Sequence, residues 1–128
     1  MNRLCMAVLA LSLGAGFAAA HEGAHDEKAE AGGTTTLSGE LVDMGCYLSH
    51  GGAGEKHAKC GKMCVMKGGQ PLGLVTNDGA LYLVVGDHGD EKTFTAAKEM
   101  AGGNAKLSGK LLKKGGMQAL MVSKVEKP

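Results

Sequence analysis

Cys46, His57, Cys60 and Cys64 are the residues of this sequence whose types and spacing can do chemistry. The run His57-x2-Cys60-x3-Cys64 lies within Glu55 to Lys67, a segment that suits a helix closed by Gly68-Gly69. At about 100° per residue, His57, Cys60 and Cys64 fall within about 60° of one another on one helical face. Cys46 lies upstream, just after the first expected strand, where a bend brings it over that face. Together they make a Cys3His set, a thiolate and imidazole donor group that suits zinc or Cu(I).

Reach ranks these ligands. Cys60 and Cys64 are one helical turn apart and form the core chelate, with Cys46 as the natural third ligand. His57 and Cys64 stand about 10.5 Å apart along the helix axis. Helical side chains lean toward the N-terminus, so His57 tends to point away from Cys64. His57 is therefore a conditional fourth ligand that needs distortion near Gly61, and His50 in the preceding loop is its rival. Met44, Met63 and Met66 near the cysteines suit soft Cu(I), although methionine is more often core filler. Asp43 could orient a ligand from behind or simply cap a strand end.

A disulfide is the alternative. Cys46 paired with Cys60 or Cys64 would staple the helix to the rest of the domain and add about 2–4 kcal/mol. A Cys60–Cys64 bridge is disfavoured, because one helical turn aims the two Cβ atoms poorly. Thiol redox chemistry is a third reading, since Lys59, Lys62 and Lys67 could lower a thiol pKa. The Cys-x3-Cys spacing nevertheless differs from Cys-x2-Cys redox motifs, and no βαβ pattern surrounds it. No catalytic residue is assigned: the serines lie in no nucleophile elbow and Gly51 to Glu55 lacks the Lys and Ser/Thr of a phosphate loop.

The compartment bears on these choices. Met1 to Ala20 reads as a secretory signal peptide, with Arg3 as the positive start, an apolar run from Met6 to Leu13 and Ala18-Ala19-Ala20 as the cleavage pattern. The expected location is periplasmic or secreted, which is oxidising. Of the 4 cysteines, Cys5 leaves with that peptide, and the remaining odd count leaves one thiol free, bridged to another chain, or on a metal. The apolar stretch is too short to span a bilayer and is broken by Gly14 and Gly16.

Removing Arg3 leaves thirteen lysines against 13 Asp and Glu, so the mature charge is zero. Nucleic-acid binding is excluded by that balance and by the near absence of aromatic stacking residues, with only Tyr47, Tyr82 and Phe94 beyond the peptide. The expected partners are a metal ion and, in a metal-handling role, another periplasmic protein. Residues 21–36 are polar, charged and Gly/Ala-rich, and read as a disordered leader. Its His21 and His25 could offer nitrogen donors to Cu(II), against the simpler reading of a polar tail.

The elements that must position the site occupy residues 37–127. Leu37 to Val42 reads as a strand, continued or bent through Met44 to Leu48, and Ser49 to Gly54 as a loop. After the Glu55 to Lys67 helix, Pro71 to Thr76 and Ala80 to Gly86 read as strands joined by the hairpin signal Asn77-Asp78-Gly79. Thr93 to Ala101 fits a short helix; Asn104 to Leu112 and Met117 to Glu126 are the last two strands. Leu37-Ser38-Gly39 echoes Leu107-Ser108-Gly109, with mid-strand glycines suited to the corners of a small closed barrel.

That order resembles the OB-fold, a five-stranded Greek-key barrel with a helix between its third and fourth strands. The segment from Phe94 to Val125 resembles the ends of small exported bacterial OB-fold proteins. The resemblance implies a mainly β, α+β architecture with an inserted helix between strands 1 and 2. The His-x3-Tyr motif of the OB-fold haem chaperone of cytochrome c maturation is missing, so haem handling is not implied.

Overall fold

The computed structural model describes residues 30–128. The expected signal peptide and the His21 and His25 leader positions lie outside the described residues. Five strands, β1 (Glu30–Asp43), β2 (Leu72–Thr76), β3 (Leu81–Val85), β4 (Asn104–Lys114) and β5 (Met117–Glu126), close a barrel in the order β1-β2-β3-β5-β4. All neighbours are antiparallel except β3 and β5, which run parallel and complete the ring. With helix α3 (Glu91–Glu99) between β3 and β4, the architecture is the expected OB-like barrel.

The two Leu-Ser-Gly segments lie side by side, with Leu37 opposite Leu107 and Gly39 opposite Ala105. Both glycines sit where strands approach too closely for a side chain. A Cβ on Gly39 would lie 2.1 Å from the Val75 carbonyl oxygen, and one on Gly109 would lie 2.2 Å from that of Met121. Gly39 is also where β1 is shared, pairing with β4 on one edge and with β2 on the other. Gly109 falls at the irregularity in the β4–β5 register. The echo thus records one steric demand met twice as the sheet bends.

Leu41, Leu74, Leu107, Leu120 and Val122 are fully buried inside the barrel. Val65 and Ala97 plug it from the helices, with Phe94 packed against the same cluster.

Two expectations are corrected. β1 begins at Glu30, so the final residues of the expected disordered leader belong to a strand. Thr34 to Thr36 pair with Lys110 to Ser108, and the Thr36 and Ser108 hydroxyls share a 2.8 Å hydrogen bond. Ladder bonding uses backbone groups, so a polar segment can extend a strand that its side chains do not announce.

The insertion between β1 and β2 holds two helices rather than one: α1 (Met44–His50) and α2 (Glu55–Met66). Met44 to Leu48 does not continue the strand, because Asp43 caps a helix there. Its carboxylate accepts from the backbone N–H of Gly45 and Cys46, and Gly51 ends the helix in the left-handed region. Both ends of α1 are tied down: Met44 N–H donates to the Pro71 carbonyl, and Gly52 N–H to that of Cys46.

Candidate metal centre

Helix α2 is phased by what it buries. Gly61 and Val65, four positions apart, form its buried stripe toward β1. Cys60 and Cys64 each precede one of these residues, so their stripe runs about 100° around the helix from the buried one. That stripe meets the first turn of α1, where Cys46 is placed by the Asp43 cap. The three sulfurs lie within 4.8 Å of one another. They are free thiols, with Cys60 exposed and Cys46 and Cys64 partly covered. The disulfide staple considered from the sequence is therefore not formed, although the three sulfurs are gathered.

His57 shares the stripe of Gly61 and Val65 but sits a full turn earlier, as helical periodicity requires. It meets Cys46 from the other side. Cys46, His50 and His57 form a second triad whose donor atoms also lie within 4.8 Å of one another. The two imidazoles meet edge to face with centroids 5.2 Å apart. Among the described residues, the donors thus fall into two triads that share Cys46. The structure brings together Cys46, Cys60 and Cys64 as the sequence spacing implied, but places His57 with His50 rather than joining it to all three sulfurs. His50 belongs to the centre because α1 carries it there. The sequence signal for that helix was the pair Asp43 and Gly51, a capping residue and a left-handed terminator seven residues of helix apart.

Gly52 makes room for the second triad. It is buried against His57 Nε2 and the Cys46 Cβ, and a Cβ at this position would lie 2.7 Å from the first and 2.9 Å from the second. His57 Nε2 is itself buried and has no hydrogen-bond partner. A buried ring nitrogen without a partner is costly unless a ligand or proton donor meets it.

Asp43 stands behind both cysteines and is 1% exposed. Its Oδ1 takes the Gly45 N–H at 2.8 Å and the Cys46 N–H at 3.4 Å. Its Oδ2 is buried and no hydrogen bond reaches it. The thiols of Cys46 and Cys64 stand beside the carboxylate and lower its pKa. Burial alone would raise the Asp43 pKa. Contact with the Cys46 thiol, the N–H groups of Cys46 and Gly45, and the Cys64 thiol outweighs burial and holds the carboxyl below its ordinary value.

The same contacts act in reverse on the thiols. The Asp43 carboxylate, with burial and the neighbouring cysteines, pushes Cys46 up to about 12. Burial, then Asp43 and Cys60, also raise Cys64. A helix N-terminus ordinarily favours a thiolate; here the carboxylate occupying that terminus overrides it. Without a cation Cys46 and Cys64 hold their protons more tightly than free thiols do. A bound metal ion would replace those protons and gain the attraction of the Asp43 carboxylate behind the thiolates.

Leu48, Met63 and Met66 are exposed on the two helices that carry the cysteines. Met44 packs instead under the insertion, with its side chain against Gly73. No helix among the described residues is long and apolar enough to cross a membrane. Compared with family models, with curated proteins and with solved structures, the chain matches none.

Proposed function

We propose that this protein is an exported, periplasmic metal-binding protein that holds a soft or borderline transition metal, zinc or copper, on the thiolates of Cys46, Cys60 and Cys64. The observation that carries the reading is the convergence of three free sulfurs from two helices within 4.8 Å of one another. Ligands of one ion with metal–sulfur bonds of about 2.3 Å must lie within about 4.6 Å of each other. The triad, with no two sulfurs more than 4.8 Å apart, stands within or close to that limit. Export is supported by Arg3, the Met6 to Leu13 run and Ala18-Ala19-Ala20.

Metal handling fits better than a structural role. None of the three cysteines belongs to the barrel core, which closes around Leu41, Leu74, Leu107 and Leu120. Cys60 is exposed, so an ion there can be reached by a partner. The test is metal analysis of the exported protein, purified with reductant, before and after chelation. At least one equivalent of zinc or copper, reduced by one in Cys60→Ser and in Cys64→Ser, supports the reading. A protein with three titratable thiols that takes up neither metal overturns it.

A further inference from the structure

We propose that the centre holds two Cu(I) ions, one in each triad, bridged by the sulfur of Cys46. This rests on the reading of the sulfur triad as a metal site and extends it to His50 and His57, with monovalent copper as the cargo.

Geometry carries the proposal. Cys46 belongs to both triads, while the five donors do not form one group at 4.8 Å spacing. Two ligands of a single ion cannot stand farther apart than twice a bond length, about 4.6 Å for metal–sulfur bonds. One ion therefore cannot serve all five donors as they stand, whereas two ions can. A thiolate sulfur has lone pairs enough to bridge two metals, and a bridge at about 2.3 Å per bond keeps the ions within about 4.6 Å.

The donor chemistry selects the ion. Each triad supplies three protein donors, a coordination number that Cu(I) accepts but that leaves structural zinc one ligand short. Thiolates favour Cu(I), and imidazole suits copper as well. The three thiol protons leave to solvent on binding, and the two single positive charges offset two of the four negative charges on the three thiolates and Asp43. The unpartnered His57 Nε2 marks a position in the second triad where a ligand is wanted. Gly52 keeps that position open, because any side chain there meets both His57 and Cys46.

The experiment is anaerobic titration of residues 21–128 with Cu(I), read by native mass spectrometry, with circular dichroism as a check on folding. Wild type is expected to saturate at two copper ions. The His50→Ala/His57→Ala variant is expected to keep one, and so is Cys60→Ser/Cys64→Ser. Cys46→Ser is expected to weaken both positions at least tenfold. A His21→Ala/His25→Ala variant should still take two. Saturation of wild type at one ion overturns the bridged pair but leaves the sulfur-triad reading standing. Two ions in the His50/His57 variant also overturn it, since the second ion would then sit elsewhere. No copper at all in wild type, with its three thiols titratable, removes both the pair and the reading beneath it.

Discussion

Asp43 caps the helix that carries Cys46 and, with the same carboxylate, faces the Cys46 thiol. One buried group therefore does two things: it places the sulfur, and it favours the protonated thiol. The two effects separate by substitution. Asp43→Asn retains an oxygen able to accept from Gly45 and Cys46 but removes the charge. It should leave the barrel folded and lower the Cys46 pKa, so that Cys46 alkylates several-fold faster at pH 8 than in wild type. Asp43→Ala removes the cap as well and should cost a further ~0.5–2 kcal/mol in denaturant melts. Equal alkylation rates in wild type and Asp43→Asn would show that the carboxylate does not govern the thiol.

The same shift gives the metal-free protein a pH dependence. Cys46 rises from an ordinary 9.0 to about 12 in the folded chain, so the folded state holds that proton more tightly than the unfolded one. Its contribution to stability is complete below pH 9 and is lost as pH rises toward 12. Melts of chelated, reduced protein at pH 7.5 and at pH 10 should therefore differ more for wild type than for Cys46→Ser. A Cys46→Ser variant with the same pH slope would contradict this.

Barrel closure at Gly39 and Gly109 is a separate matter of sterics. A Cβ at either site meets a backbone carbonyl at close to 2 Å, and backbone cannot rotate away. Gly39→Ala and Gly109→Ala should each destabilise by about 1–3 kcal/mol. Gly33→Ala, where an added Cβ meets nothing within 4 Å, should stay within about 0.5 kcal/mol of wild type in the same urea titration.

Those glycines also show why the barrel was legible in the sequence. The repeated Leu-Ser-Gly segments, the Asn77-Asp78-Gly79 turn and the alternating strands each rest on local geometry, and local geometry is written in neighbouring residues. The sulfur triad was legible for the same reason, because Cys60 and Cys64 lie one helical turn apart. The partnership of His50 with His57 was hidden. It depends on α1, a seven-residue helix whose apolar Met44 to Leu48 stretch also satisfies a bent strand. Only the Asp43 cap and the Gly51 terminator distinguish the two. The strand start at Glu30 was hidden because its partner is β4, some eighty residues downstream, and ladder pairing uses backbone groups that the side chains do not announce.

Gly52 tests the second triad without touching a ligand. Its backbone dihedrals are not in the left-handed region, so alanine there is opposed by contact rather than by conformation. Gly52→Ala should push the His57 ring from its position beside Cys46, with little change in the melting temperature of the metal-free domain. Metal binding through the histidines should weaken at least tenfold, while binding through Cys60 and Cys64 persists. Unchanged copper stoichiometry and affinity in Gly52→Ala would mean that His57 Nε2 is not part of the centre.

Metal removal distinguishes a handling site from a structural one. A ligand that binds only the folded state stabilises it by RT ln(1 + [L]/Kd), about 2.7 kcal/mol when free metal is at 100 times Kd. For a domain of this size that is a rise of roughly 10–20 °C in Tm. Zinc or Cu(I) should give such a rise in wild type, and a chelator should reverse it. Cys60→Ser and Cys64→Ser should each lose the part of it that the sulfur triad supplies. The chelated protein should still melt cooperatively with the strand signal of the intact barrel, since Leu41, Leu74, Leu107 and Leu120 pack without help from the cysteines. Loss of that cooperative transition on chelation would make the ion a structural element, with the insertion and barrel folding only around it.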